Sequence, residues 1–158
     1  MKTLIASLAL AGASLIAVAD EPKSAVTVNR KSEQKIDIGP ETYFTGRAQI
    51  AGLFERPEPS RVTGAIVTFS PGARTAWHTH PAGQTLVVTR GAGLVQQWGG
   101  ARQEIREGDV VWIPPGVKHW HGGSPTQEMS HVAIMEKHGG TNVEWLEKVT
   151  DAQYRGEK

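Results

Sequence analysis

The chain contains no cysteine. Disulfides, thiolate metal sites and a cysteine nucleophile are therefore excluded, while an oxidising compartment stays open to it. Runs of lysine or arginine are also missing. The formal charge is only +1, from 17 basic and 16 acidic residues, so neither nucleic acid nor an anionic membrane is an expected partner. Beyond residue 19 no apolar stretch is long enough to cross a bilayer. No helical periodicity outlasts a turn or two except at Thr150–Arg155, where Thr150 is placed to cap a short C-terminal helix. Internal repeats and low-complexity segments are absent.

What is present divides the 158 residues into three parts. Met1-Lys2 is a short positive start, Thr3 to Ala19 is apolar and small, and Ala17-Val18-Ala19 precedes the polar break Asp20-Glu21-Pro22. This is the pattern of a secretory signal peptide cut after Ala19, and its h-region is too short to anchor. Cleavage removes Lys2 alone among the charges and leaves a formal charge of zero. The mature chain is then expected outside the cytoplasm, in the periplasm of a Gram-negative host, with no membrane association. Residues 20–42 are polar and aperiodic and are expected to form an N-terminal arm or linker. Residues 43–155 are expected to form one domain.

That domain predicts strands and turns. Gly64–Phe69, Gln84–Thr89, Gly93–Trp98, Arg102–Ile105, Val110–Ile113, His119–His121 and Met129–Glu136 carry β-branched, aromatic or alternating residues, and Gly- and Pro-rich turns punctuate them. Val110–Ile113 is expected to be buried. Gly99-Gly100 predicts a hairpin. Many short strands at close spacing predict an all-β barrel or sandwich. Trp77, Trp112 and Trp120 are expected in core or interface packing, and His138, beside Gly139-Gly140, at the surface.

Two H-x-H pairs stand out. Successive strand side chains alternate in face, so His78 and His80 share one. Gln84 has the same parity, although Pro81-Ala82-Gly83 can bend the strand between them. His119 and His121 repeat the spacing some forty residues on. If the fold brings these segments together, imidazoles and an amide oxygen converge on a point, a donor set that suits Mn, Fe, Ni, Cu or Zn. His131 shares a face with Ala133 and Met135. If that face lines the interior, His131 is placed to act as general base or acid; otherwise it is a hydrogen-bonded core histidine.

The longer motifs resemble the cupin superfamily. Gly72-ARTAW-His78-Thr-His80-PAG-Gln84-TLVVTR-Gly91 is similar to the first cupin motif at every spacing, with Gln in place of Glu. Gly108-DVVWI-Pro114-Pro-Gly116-VK-His119-WHG-Gly123 is similar to the second, with Gly in place of the terminal Asn. The resemblance implies a small antiparallel β-barrel, or jelly roll, holding one divalent metal per chain through His78, His80, Gln84 and His119. A neutral glutamine leaves the ion its full charge, which favours Lewis-acid over oxygen-activating chemistry.

Phe44-Thr45-Gly46, Pro71–Thr89, Glu107–Gly122 and Val149–Arg155 narrow the resemblance to the bacterial manganese-dependent cupin hydroxynitrile lyases, the (R)-mandelonitrile lyase type. This implies Mn²⁺, with Fe²⁺, Ni²⁺ and Zn²⁺ as alternatives, and His131 as general base. It also implies pocket positions at Ala65, Val67 and Thr75, with His121 and Met135 beside them. The chain departs from that resemblance at Met135, where a member of the family has a polar Gln. The reaction implied is cleavage of a cyanohydrin to an aldehyde and cyanide. A quercetinase-like metal-dependent dioxygenase and a non-enzymatic cupin that binds a small ligand are the rival readings, since one fold hosts many activities. Resemblance also implies a homo-oligomer, dimer or tetramer.

Overall fold

A computed structural model describes residues 25–56 and 59–157. The segment read as a signal peptide lies outside the described residues. Twelve strands in chain order are β1 (Ile36–Ile38), β2 (Phe44–Thr45), β3 (Ala48–Glu55), β4 (Val62–Phe69), β5 (Arg74–Thr75), β6 (His78–Thr79), β7 (Gln84–Gln97), β8 (Gln103–Arg106), β9 (Val110–Ile113), β10 (His119–Gly123), β11 (Met129–Glu136) and β12 (Glu144–Trp145). One helix, α1 (Asp151–Arg155), follows. All pairings are antiparallel. The strands form one curled sheet, a half-barrel, in the order β1-β3-β4-β11-β7-β10-β5-β2, with the remaining strands on its flanks. This is the all-β single domain expected, with its short C-terminal helix. Within the arm, β1 pairs with β3 along the sheet edge.

The half-barrel curls because β7 belongs to both of its halves. The sequence predicts two strands there, separated near Gly91; the chain instead forms one strand of 14 residues. Its first half pairs with β11 and β9, and its second with β10 and β8. Gly91 marks a bend, not an end. Its φ is 72°, and a Cβ there would fall 2.0 Å from the Glu128 carbonyl oxygen, so only glycine fits.

Alternation then decides what faces inward. On β4, Ala65, Val67 and Phe69 point into the concave side, and on β11 His131 and Ala133 do the same. Val110–Ile113 is a correction. It forms the expected strand, but Val110 is 68% exposed and Trp112 59% exposed, because β9 pairs only with β7 and turns these two side chains to the convex face. Trp112 is thus not core. Trp77 and Trp120 are, packed with Val149 and Tyr154 under α1. That helix starts as the sequence predicts: the Thr150 hydroxyl accepts from the Gln153 amide and the Gln153 side chain accepts from the Thr150 amide, a reciprocal cap. The Tyr154 hydroxyl then donates to the Gly123 carbonyl at 2.8 Å. The same Gly123, which replaces the Asn of the second motif, has the Ser70 carbonyl oxygen 2.7 Å from where a Cβ would lie, so the close approach of two chains accounts for glycine there.

Candidate metal centre

His78 on β6 lies directly opposite His119 on β10. His80 follows β6 immediately, and the turn after it returns the chain to Gln84, the first residue of β7. All four side chains are buried. One ring nitrogen from each of His78, His80 and His119 falls within 4.8 Å of the others. Each ring also faces a backbone carbonyl through Nδ1: Ala76 at 3.0 Å for His78, Asn142 at 2.5 Å for His80 and Val117 at 2.8 Å for His119. A carbonyl can only accept, so each Nδ1 carries the proton and each Nε2 presents a lone pair. The Nε2 of His80 is buried with no partner at all.

Gln84 places an amide oxygen beside the three rings. Its Oε1 lies 3.1 Å from His119 Nε2, while its Nε2 donates to the Met135 sulfur at 3.1 Å. With the His119 proton held on Nδ1, two acceptors face each other across that gap. They repel unless a cation lies among them. The electrostatics agree. Burial is the largest cause lowering the pKa of all three histidines, to about 4 for His119 and well below the usual range for His78, where the neighbouring imidazoles of His119 and His80 add to it. The rings are therefore neutral at pH 7, the form that binds metal. Three imidazole nitrogens and an amide oxygen fit a divalent transition ion.

The site opens on a cavity of about 190 Å³. Its walls are almost wholly apolar and include Phe44, Ile50, Val67, Phe69 and Trp145. Its polar groups include a second imidazole pair: His131 Nε2 lies 3.2 Å from His121 Nδ1, and both rings are fully enclosed. The outer nitrogens, His131 Nδ1 and His121 Nε2, have no partner. Burial lowers the pKa of both, to about 4 for His131, and for His121 the charge of His131 adds to it. At pH 7 His131 is therefore an uncharged imidazole. Thr75 accepts the His121 amide at 3.2 Å and fixes that strand beside the pocket.

Every pocket position named from the sequence lines this cavity: Ala65, Val67, Thr75, His121 and Met135, with His131 among them. Sequence reasoning missed Phe44, Ile50, Leu53, Asn142, Val143 and Trp145, which also line it. They come from short strands and loops without periodicity. Trp145 packs on the His78 ring, with centroids 4.9 Å apart, through the two-residue pairing of β12 with β6.

Asn142 holds the most consequential of the missed positions. His78 and His119 lean on carbonyls two residues away, but His80 leans on one that is 62 residues away. That carbonyl is kept in place by the Asn142 side chain, whose Nδ2 donates to Thr63 Oγ1 at 2.7 Å. Asn142→Ala is expected to weaken binding of a divalent metal by about 10-fold or more, in the range known for partners of metal ligands. Titration calorimetry checks this. An unchanged affinity would mean that the Thr63 bond does not position His80.

A cupin domain family matches residues 65–135, the stretch from the first pocket position on β4 to Met135. The chain belongs to the cupin family. Among curated proteins it is similar to the (R)-mandelonitrile lyase of Granulicella tundricola, at 56% identity over 128 residues that cover 81% of this chain and 98% of that one. Among solved structures it is similar to a cupin-like protein of Thermotoga maritima, at 40% identity and a TM-score of 0.71, over 75% of this chain and 90% of that one. It also shares its fold with a polyketide cyclase of Streptomyces resistomycificus, at 18% identity and a TM-score of 0.65, over 83% and 92% of the two chains. At that identity only the architecture carries over.

Proposed function

We propose that this protein is a metal-dependent lyase that cleaves cyanohydrins such as mandelonitrile to an aldehyde and cyanide. The observation that carries the reading is the 56% identity to an (R)-mandelonitrile lyase across nearly all of that protein. The cavity supports it. At about 190 Å³ it is smaller than the ~300–1,000 Å³ typical of drug-sized ligands, and its aromatic, apolar walls suit a substrate of one ring. Met135 donates no proton to the pocket; it steers the Gln84 amide instead, so its departure from a polar residue bears on substrate range.

His78, His80, Gln84 and His119 would hold the metal, with Mn²⁺ as the proposed ion. When bound, a divalent ion with four neutral ligands supplies uncompensated positive charge that acidifies a substrate hydroxyl. His131 does the proton chemistry. Its Nδ1 is unpartnered, uncharged and inside the cavity, so it is placed to accept the hydroxyl proton. That requires Nε2–H to donate to His121 Nδ1, which leaves the proton of His121 on Nε2, the other unpartnered nitrogen. As the oxygen–hydrogen bond breaks, its electrons form the carbonyl and those of the carbon–carbon bond leave with cyanide. The couple can then return one proton to cyanide, so that aldehyde and hydrogen cyanide account for all atoms of the substrate. The apolar walls exclude water from the transfer. Periplasmic placement is part of the proposal and rests on Met1–Ala19 alone.

The mature protein loaded with Mn²⁺ is expected to release cyanide and benzaldehyde from mandelonitrile in equal amounts without taking up oxygen. Oxygen uptake without cyanide release would overturn the lyase reading in favour of a dioxygenase.

A further inference from the structure

With no cysteine in the chain, three methionines carry all of its sulfur. Met1 falls in the segment read as a signal peptide. Met129 is 0% exposed, enclosed in the main core with Phe69 and Val95. Met135 differs from both. It is half-buried, it lines the cavity, and its sulfur accepts from the Gln84 amide nitrogen at 3.1 Å. A small oxidant that enters the cavity therefore meets one sulfur, and that sulfur touches a side chain proposed to hold the metal.

We propose that Met135 is a modification site: hydrogen peroxide oxidises its thioether to the sulfoxide, and the change loosens the metal site through Gln84. The sulfur attacks one peroxide oxygen with a lone pair, and the oxygen–oxygen bond breaks. The transferred oxygen gives its proton to the departing hydroxide, which leaves as water. Sulfur loses two electrons and peroxide gains them.

The consequence follows from the packing. The sulfoxide oxygen is a polar acceptor set against almost wholly apolar walls, where an unpaired polar atom is costly. The donor already in contact with this side chain is Gln84 Nε2. A hydrogen bond to the new oxygen takes about 2.9 Å by itself. It does not fit, together with that oxygen, inside the present 3.1 Å between sulfur and nitrogen. The backbones are held against opening the gap. Met135 pairs with Thr63 on one side and Gln84 on the other, and Gln84 pairs with Met135 and with Ile113. The side-chain amide has to turn instead. Oε1 and Nε2 share one planar group, so Oε1 then leaves its place beside His119 Nε2. Methionine sulfoxide can be reduced enzymatically, which makes the loss reversible. The inference rests on the proposed donor set and not on the proposed reaction.

The mature, Mn²⁺-loaded protein is exposed to hydrogen peroxide, which catalase then removes. Peptide mapping with fragmentation is expected to find one added oxygen on Met135 and none on Met129. Competition with a chelator should show Mn²⁺ held about 10-fold less tightly than before treatment, as for the loss of a partner of a metal ligand. Methionine sulfoxide reductases of both epimer specificities, supplied with a thiol, should restore the affinity. In Met135→Leu, a volume-conserving change, peroxide should leave the affinity at that variant's own untreated value. Should the variant fail to fold, restoration by the reductases in the unsubstituted protein decides. Oxidation of Met129 as readily as Met135 would overturn the proposal, as would an unchanged affinity after Met135 is oxidised or an equal loss in Met135→Leu. Failure of the untreated protein to bind Mn²⁺ would defeat the donor set and this proposal with it.

Discussion

His131→Ala is expected to lower the turnover of mandelonitrile by roughly 10²-fold or more, the usual contribution of a positioned general base, while Mn²⁺ content stays at about one per chain. The ring lies on β11, separated from β10 by β7 in the sheet order, and its hydrogen-bonded imidazole is His121, not a member of the proposed shell. Its environment removes the charged form: burial lowers its pKa to about 4, so the bare nitrogen is available throughout the neutral range. A purely structural histidine at this position would behave differently. Phe69 packs against it with centroids 5.7 Å apart, and truncation would open a cavity and strand the His121 nitrogen. The measurement is therefore paired, kinetics of cyanide release beside metal analysis and a thermal melt. Full turnover with a lowered melting temperature would defeat the catalytic role, and lost metal would place His131 in the shell.

His78→Ala/His80→Ala is expected to abolish metal retention and bring cyanide release down to the rate of buffer. The two rings contribute two of the three imidazole nitrogens that cluster within 4.8 Å. What is left, His119 and Gln84, is too few donors to hold an exchangeable divalent ion. A second readout is thermodynamic. A ligand at 100 times its dissociation constant stabilises the native state by about 2.7 kcal/mol, which for a chain of this size raises the melting temperature by roughly 5–10 °C. Added Mn²⁺ should produce that rise in the unsubstituted protein and none in the double variant. Normal metal content in the variant would sink the assignment of the site.

Both expectations began in the sequence, because both rest on local rules. Strand parity places His78 with His80, and His131 with Ala133 and Met135, before any fold is known. The capped start of α1 at Thr150 was legible for the same reason, since its two hydrogen bonds join residues three apart. Where propensity and pairing conflict, local reading failed. Gly91 looked like the end of a strand, yet partners on both sides, β11 before it and β10 after it, carry β7 through. Val110 and Trp112 looked buried because they are apolar. Their exposure depends on which face of an edge strand they occupy, and composition is silent on that.

The sequence by itself determined the fold class and which of the candidate side chains share a face, through spacings that a β-strand's two-residue period turns into geometry. Only the tertiary structure decided what those side chains meet. It set Asn142 behind His80, the Met135 sulfur behind Gln84, His121 against His131, and Trp145 over His78. Each of these is a contact between strands or loops distant along the chain. Their register is set by the packing of the whole sheet, which no local pattern encodes.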